Sequence, residues 1–431
     1  MKRIFLIAIL TCAISQVRAL TDIDWNARLA HSVAATSRVM IHDVVNPPAA
    51  ARYYAYFMLG PWCLAASQHS EIPQPAAILR KAPEQPVTKA NWKLVSLFAV
   101  LKTGHAMLPS GFMLEPDIEE LEKWSGEQGF AVDEIELAKS EADRLVKDVL
   151  AYAKGDRYNQ LSARLRYTPK KGDGYWYPTP PAYIDAVEPN WFTVRPMVID
   201  TCTQFRPDPC VPFSKDSSSV FFKMAREVYE VSKAATAEQL AIAGFWDCNP
   251  FAVTTAGHMM IGFKKISPGG HWMAIAGIVC QQAHLSFEKT VAVHAVLGTT
   301  LMDAFISCWQ EKYNSNRIRP ETVINRYIDP QWQPLLQTPP FPEYTSGHSV
   351  ISAASAEVLT YFFGDNFHYS DSSEQQFGLP TRNFTSFRQA AAEAAISRLY
   401  GGIHYRDAID LGVAQGRRIG QYIVSKLKSS P

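Results

Sequence analysis

The chain has 431 residues, 47% of them apolar and 19% charged, with a formal net charge of +1 at pH 7. That balance excludes a disordered chain, which has too little apolar surface to bury. It also excludes a nucleic-acid binder, which needs a basic face.

At the N-terminus Lys2 and Arg3 precede the apolar run IFLIAILTCAI and the small-residue site Val17-Arg18-Ala19. This is the layout of a secretory signal peptide, and the run is too short to span a membrane comfortably. We therefore expect residues 1–19 to be removed and the protein to be exported, to the periplasm or the extracellular space. Later stretches hold no long uninterrupted apolar run, so no integral membrane association is expected.

Apolar residues then recur at helical spacing through most of the chain. Helices are predicted over 25–43, 49–67, 89–103 and 134–153, within an N-terminal helical region spanning 20–166. Residues 167–213, which include KKGDGYWYPTPPAYIDAVEPNW, are rich in Pro, Gly and aromatics and read as an ordered connecting loop. Cys202 and Cys210 bracket TCTQFRPDPC and could form a local disulfide if the compartment is oxidising. Beyond it, helices are predicted over 217–232, 235–245, 270–287, 288–313, 346–363, 384–400 and 406–426, in a C-terminal bundle covering 214–431. Alternating strand patterns are scarce. The fold class is all-α, built from helical bundles.

The chemistry collects in three places in the C-terminal half. Lys312 falls in the last turn of a long helix and Arg319 precedes Pro320, which forces an extended backbone. By itself this is an ordinary cationic helix end. In PPFPEYTSGHSVIS, Pro339–Ser352, a helix begins near Thr345 and Ser346 with Gly347 and His348 in its first turn. The plain explanation is an N-cap. The sharper one is an anion site, because free N–H groups point out of a helix N-terminus and glycine permits close approach. Third, Arg398 lies on the apolar stripe Phe384, Phe387, Ala391, Ala394 and Ala395 of the helix expected over 384–400. A guanidinium there requires an anionic partner. Gly401 and Gly402 then break the helix and present His404. In the following helix Gly412, Gly416 and Gly420 share one face and predict a close helix crossing.

Together these are fixed cations, neutral donors and two histidines, the groups needed to hold and transform a tetrahedral oxyanion. His258, His271, His284 and His294 show no HxxxH or HExxH spacing and read as core or surface histidines.

Lys312-x6-Arg319-Pro320, Ser346-Gly347-His348 and Ser397-Arg398-x5-His404 closely resemble the three-part signature shared by vanadium-dependent haloperoxidases and type-2 phosphatidic acid phosphatases. The resemblance covers roughly Phe245 to Gly420. It implies that Lys312, Arg319, Ser346, Gly347 and Arg398 bind vanadate or phosphate. His404 would then be the vanadium ligand, or the phosphorylated nucleophile, and His348 the catalytic acid–base group. Trp309 and Phe341 stand at the halide entrance by the same resemblance; chloroperoxidase-like members carry phenylalanine at the second position. The phosphatases place an orienting aspartate four residues after the last histidine, where this chain has Ala408. Asp247, Asp303 and Asp407 are the candidates for an outer shell of support. With Trp309 and Phe341, that departure favours a haloperoxidase using hydrogen peroxide and halide at bound vanadate. The alternatives are an exported acid phosphatase acting on phosphate esters, with no cofactor, and a non-catalytic oxyanion-binding protein.

Overall fold

The computed structural model describes residues 20–256, 259–262 and 264–429. The signal-peptide expectation for residues 1–19, with Cys12, and the histidine at 258 lie outside the described residues.

The N-terminal half contributes α1 (Asp22–His42), α2 (Pro47–Gln68), the short α3 (Pro75–Ile78), α4 (Trp92–Met107), α5 (Glu115–Glu127) and α6 (Val132–Lys154). The C-terminal half holds α7 (Val220–Lys233), α8 (Ala237–Phe245), α9 (Pro268–Gln282), α10 (Phe287–Ser315), α11 (Pro320–Tyr327), α12 (Gly347–Phe363), α13 (Phe387–Tyr400) and α14 (Arg406–Ser429). Two small antiparallel hairpins complete it: β1 (Val253–Ala256) with β2 (Met259–Gly262), and β3 (Tyr369–Asp371) with β4 (Arg382–Phe384).

Local sequence explains the helix starts. Thr21 and Asp24 form a capping box at α1, Asn46 caps α2 ahead of two prolines, and Ser346 caps α12. The hydrophobic helices α2 and α10 are buried nearly all round, as expected of core helices. By length and composition α10 could cross a membrane, but its apolar window lies wholly inside the protein. It packs along α2, where Gly298 lets the Ala55 backbone approach; a Cβ there would sit 3.1 Å from it. One apolar core therefore runs from α1 and α2 through α10 to α12 and α13. Residues 167–213 connect the two halves almost without regular structure, apart from a turn of 3₁₀ helix at Trp191–Thr193.

The expected crossing of α12 and α14 is present. A Cβ on Gly416 would lie 2.1 Å from the Val350 carbonyl oxygen, so only glycine permits this approach. Several elements escaped the periodicity. The hairpins are too short to show alternation, and α5 is highly charged with a thin apolar stripe. The expected helix over 270–287 ends at Gln282, because His284 turns the chain at φ 49° before Ser286 begins α10. Cys202 and Cys210 are free thiols rather than a disulfide.

Candidate active site

The three sequence clusters meet at one end of the C-terminal bundle. Arg319 is the extended N-cap residue of α11, immediately before Pro320 at the first helical position. The loop from Phe341 to Ser346 carries the chain into α12, and the turn after α13 delivers His404. A cavity opens among them. Trp309, Phe341, Gly347, His348, Arg398 and His404 line it, with Phe305, Phe251 and Asp247 further round its wall.

His404 is held from both sides. Its Nδ1 lies 2.8 Å from Glu343 Oε1 and its Nε2 lies 3.2 Å from Arg319 Nη1. A carboxylate accepts and a guanidinium donates, so this pattern assigns the proton to Nδ1 and leaves a lone pair on Nε2. Burial pushes the His404 pKa well below 6.5, and the charges of Arg319, Lys312, Arg398 and Arg317 push it the same way. The ring is neutral at pH 7.

Arg319 donates to the Phe341 carbonyl at 2.9 Å and the Ile403 carbonyl at 2.9 Å, while its buried Nη2 has no hydrogen-bond partner. Arg398 donates to Ser397 Oγ and to the Trp246 carbonyl, at 2.9 and 2.7 Å. Its charge is balanced by Asp247 at longer range. Asp247 itself is paired to Lys265 at 2.5 Å. Opposite stands His348, whose Nε2 has no partner. Burial lowers its pKa well below 6.5, with Arg398 and His404 adding repulsion. The ring is a neutral base in the cavity lining, hydrogen-bonded to the Trp246 backbone, with Nε2 left unpartnered.

Gly347 supplies open space: a Cβ there would meet only Trp309 Cζ3, at 3.9 Å. Ser346 Oγ accepts from the Ser349 amide at 3.4 Å, and its own hydroxyl proton remains available. Trp309 and Phe341 stack at a tilt, ring centroids 4.9 Å apart, and form an aromatic wall. Lys312 is placed differently from the others. Its buried ammonium is fully engaged, donating to the carbonyls of Pro342, Glu343 and Thr345, whereas Arg319 keeps an unpartnered Nη2. Burial lowers its pKa to about 8, and its charge still acts on His404.

The outer residues divide. Asp247 lies in the cavity wall beside Arg398. Asp407 does not reach His404; it accepts from Arg317 Nη1 at 2.7 Å and from the Val211 amide at 3.0 Å. Asp303 belongs elsewhere. Its carboxylate accepts from the amides of Met197, Val198 and Ile199, pinning the connecting loop to α10. The residue that orients His404 is Glu343, which the motif reading passed over although it lies inside PPFPEYTSGHSVIS. Its second oxygen is 3.3 Å from Arg317 Nη1. The available signal was an acid set in an otherwise apolar and aromatic run four residues before Gly347.

The site thus offers a cationic, donor-rich cradle beside a neutral imidazole whose unprotonated Nε2 is engaged only by the Arg319 guanidinium, a contact that a bound oxyanion would displace. Vanadate fits these residues. The unpartnered Arg319 Nη2, the space over Gly347 and the unprotonated His404 Nε2 are the donor set and open position that a tetrahedral oxyanion with an imidazole ligand requires.

Comparison with known proteins is consistent with this chemistry. A family model described as the VCPO second helical-bundle domain matches residues 326–430. No curated protein matches the chain in sequence. Among solved structures, a bacterial vanadium-dependent iodoperoxidase is 40% identical, with a TM-score of 0.86 over 93% of this chain and 96% of its own. An apo-type bacterial vanadium-dependent chloroperoxidase is 12% identical with a TM-score of 0.63, over 96% of this chain and 95% of its own. A holo-type one is 14% identical with a TM-score of 0.59, over 96% and 94%. These last two share the fold.

Proposed function

This chain belongs to the vanadium-dependent haloperoxidase family, and on that premise we propose that it oxidises iodide with hydrogen peroxide at a vanadate seated between Arg319, Arg398, Ser346, Gly347 and His404. The net reaction combines iodide, hydrogen peroxide and a proton to give hypoiodous acid and water. The observation that carries the site assignment is the His404 tautomer. Glu343 accepts a hydrogen bond from Nδ1–H, so Nε2 is unprotonated within reach of the cationic cradle.

Bound vanadate supplies the Lewis acidity that activates peroxide for oxygen transfer to halide. The chain does the rest. Arg319 and Arg398 offset the oxyanion's charge, the Gly347 amide and Ser346 hydroxyl add neutral donors, and Lys312 contributes field from behind. His348 Nε2 takes the proton that peroxide gives up, since its depressed pKa keeps it neutral at working pH. Trp309 and Phe341 exclude water from the approach. Because chloroperoxidase-like members also carry phenylalanine at the Phe341 position, the aromatic wall does not choose the halide. The choice of iodide is supported by the likeness to the iodoperoxidase.

The test is an assay of purified protein, with and without orthovanadate, for peroxide-dependent oxidation of iodide, bromide and chloride. We expect vanadate-dependent iodide oxidation that is lost in His404→Ala. Equal turnover of chloride would overturn the halide assignment. Activity that persists in His404→Ala would overturn the site. Hydrolysis of phosphate esters, inhibited by vanadate and without halide oxidation, would restore the phosphatase alternative.

A further inference from the structure

At the edge of the cavity, whose lining includes Cys248, lies a second cluster that the proposed reaction does not use. Cys248, in the segment following α8, faces His271 in the first turn of α9 and Glu374 just beyond β3. All three are buried, at 2%, 0% and 2% relative exposure. Cys248 Sγ lies 3.4 Å from His271 Nδ1, and Glu374 Oε1 lies 3.5 Å from the same nitrogen. The three ligand atoms all fall within 4.8 Å of one another.

Three features distinguish this cluster from a satisfied core. Glu374 Oε1 has no hydrogen-bond partner, an expensive condition for a buried carboxylate. The far nitrogen of His271, Nε2, is 2.8 Å from Asp371 Oδ2. Burial opposes a charge on His271, but Asp371 and Cys248 outweigh it and hold the pKa well above 6.5. Asp371 accepts from Nε2–H, so a metal that displaces the Nδ1 proton would meet a lone pair facing Cys248 and Glu374, as carboxylates behind metal-bound histidines commonly arrange. The spacing also fits. Zinc bonds of about 2.0–2.3 Å in tetrahedral geometry put neighbouring ligand atoms about 3.3–3.8 Å apart, and both short distances here lie in that range.

We propose that Cys248, His271 and Glu374 form a divalent-metal site that takes zinc, with Asp371 orienting the histidine. A thiolate, a neutral imidazole and a carboxylate suit zinc better than calcium or magnesium, which select all-oxygen shells. The metal would replace two protons, that of the Cys248 thiol and that on His271 Nδ1, both released to solvent, and would counter the negative charge of Glu374 and Asp371. Its place in the fold gives it a structural task. Cys248 follows Trp246, whose carbonyl accepts from Arg398, and whose ring stacks on His271 with centroids 4.6 Å apart. Zinc would thus tie the segment that positions Arg398 to the β3–β4 hairpin.

The experiment measures metal content of the full-length protein after exposure to zinc and exhaustive dialysis, for the wild type and for Cys248→Ser and Glu374→Gln. Cobalt is then titrated into metal-depleted protein. We expect one tightly held zinc per chain, at least tenfold weaker retention in both variants, and a thiolate-to-cobalt charge-transfer band absent from Cys248→Ser. Circular dichroism shows whether each variant is folded, and Glu374→Gln, which preserves shape, is the variant expected to remain so. A wild type that retains no zinc would overturn the proposal. So would retention unchanged in both variants, which would place the ion at another site such as the more exposed His69, Glu71 and Glu288 group.

Discussion

Glu343 Oε1 accepts the Nδ1 proton of His404 at 2.8 Å and, through the same oxygen, the Tyr405 amide at 3.0 Å. One buried carboxylate therefore sets both the tautomer of the ring and the path of the turn that carries it. Arg317, 3.3 Å from the other oxygen, continues the relay to Asp407.

Glu343→Ala should weaken vanadate affinity by about 10–100-fold, the usual effect of removing a carboxylate behind a ligating histidine. Glu343→Gln, whose carbonyl can still accept from Nδ1, should lose less. Titration of vanadate into each protein, read by recovery of iodide oxidation, measures both. Equal affinity in Glu343→Ala and wild type would show that the tautomer is set elsewhere.

Gly347→Ala separates stability from function. The helix start tolerates alanine, with a gain of at most about 1 kcal/mol, and the new methyl meets only Trp309 at 3.9 Å. It occupies space at the cavity wall, however. The melting temperature should hold or rise while vanadate affinity falls; a variant with wild-type affinity would mean that nothing approaches this backbone.

Asp407→Ala removes the closest partner of Arg317, a guanidinium only 3% exposed. Stripping one member from a buried pair should cost about 3 kcal/mol. Urea denaturation measures the loss. Because Arg317 also faces Glu343, vanadate affinity should fall too, by less than in Glu343→Ala.

Asp303→Asn tests the opposite placement. Asparagine offers one acceptor oxygen where the carboxylate serves three amides, leaving at least one unsatisfied at about 1–3 kcal/mol. Stability should drop while the vanadate affinity of the folded protein is unchanged. A selective loss of affinity would return Asp303 to the site.

His294 sets an acid limit. Its Nδ1 donates to the Thr290 carbonyl at 2.8 Å, and burial lowers its pKa from 6.5 to about 4. The unfolded chain takes up a proton below pH 6.5 and the folded one does not until about pH 4, so stability falls as pH falls through that window. The full effect is about 3 kcal/mol. His294→Leu should match or exceed wild type at pH 7 and gain on it steadily towards pH 4. Parallel pH curves for the two proteins would refute this.

The helical class was readable in the chain, for physical reasons, as were the segments that converge on the cavity. Helical periodicity is local, and it marked the long helices to within a few residues. The glycines of α14 were readable because a helix face shows in sequence what must pack closely. Arg398 on an apolar stripe announced an unusual burial. The same locality explains the misses. Hairpins of three or four residues and a charged helix such as α5 carry little periodic signal.

What only the tertiary structure decided is which distant groups share a neighbourhood. Asp303, Asp407 and Glu343 are alike as buried or half-buried acids in sequence. Folding sends the first to loop amides, the second to Arg317 and the third to His404. Lys312 carries a binding motif, yet its ammonium is turned onto three carbonyls. Cys248, His271 and Glu374 show no metal spacing and meet only because α9 packs against the segment after β3. Residue type and helical phase are properties of a segment. A hydrogen bond or a ligand set is a property of the space between segments, and that space exists only once the core has formed.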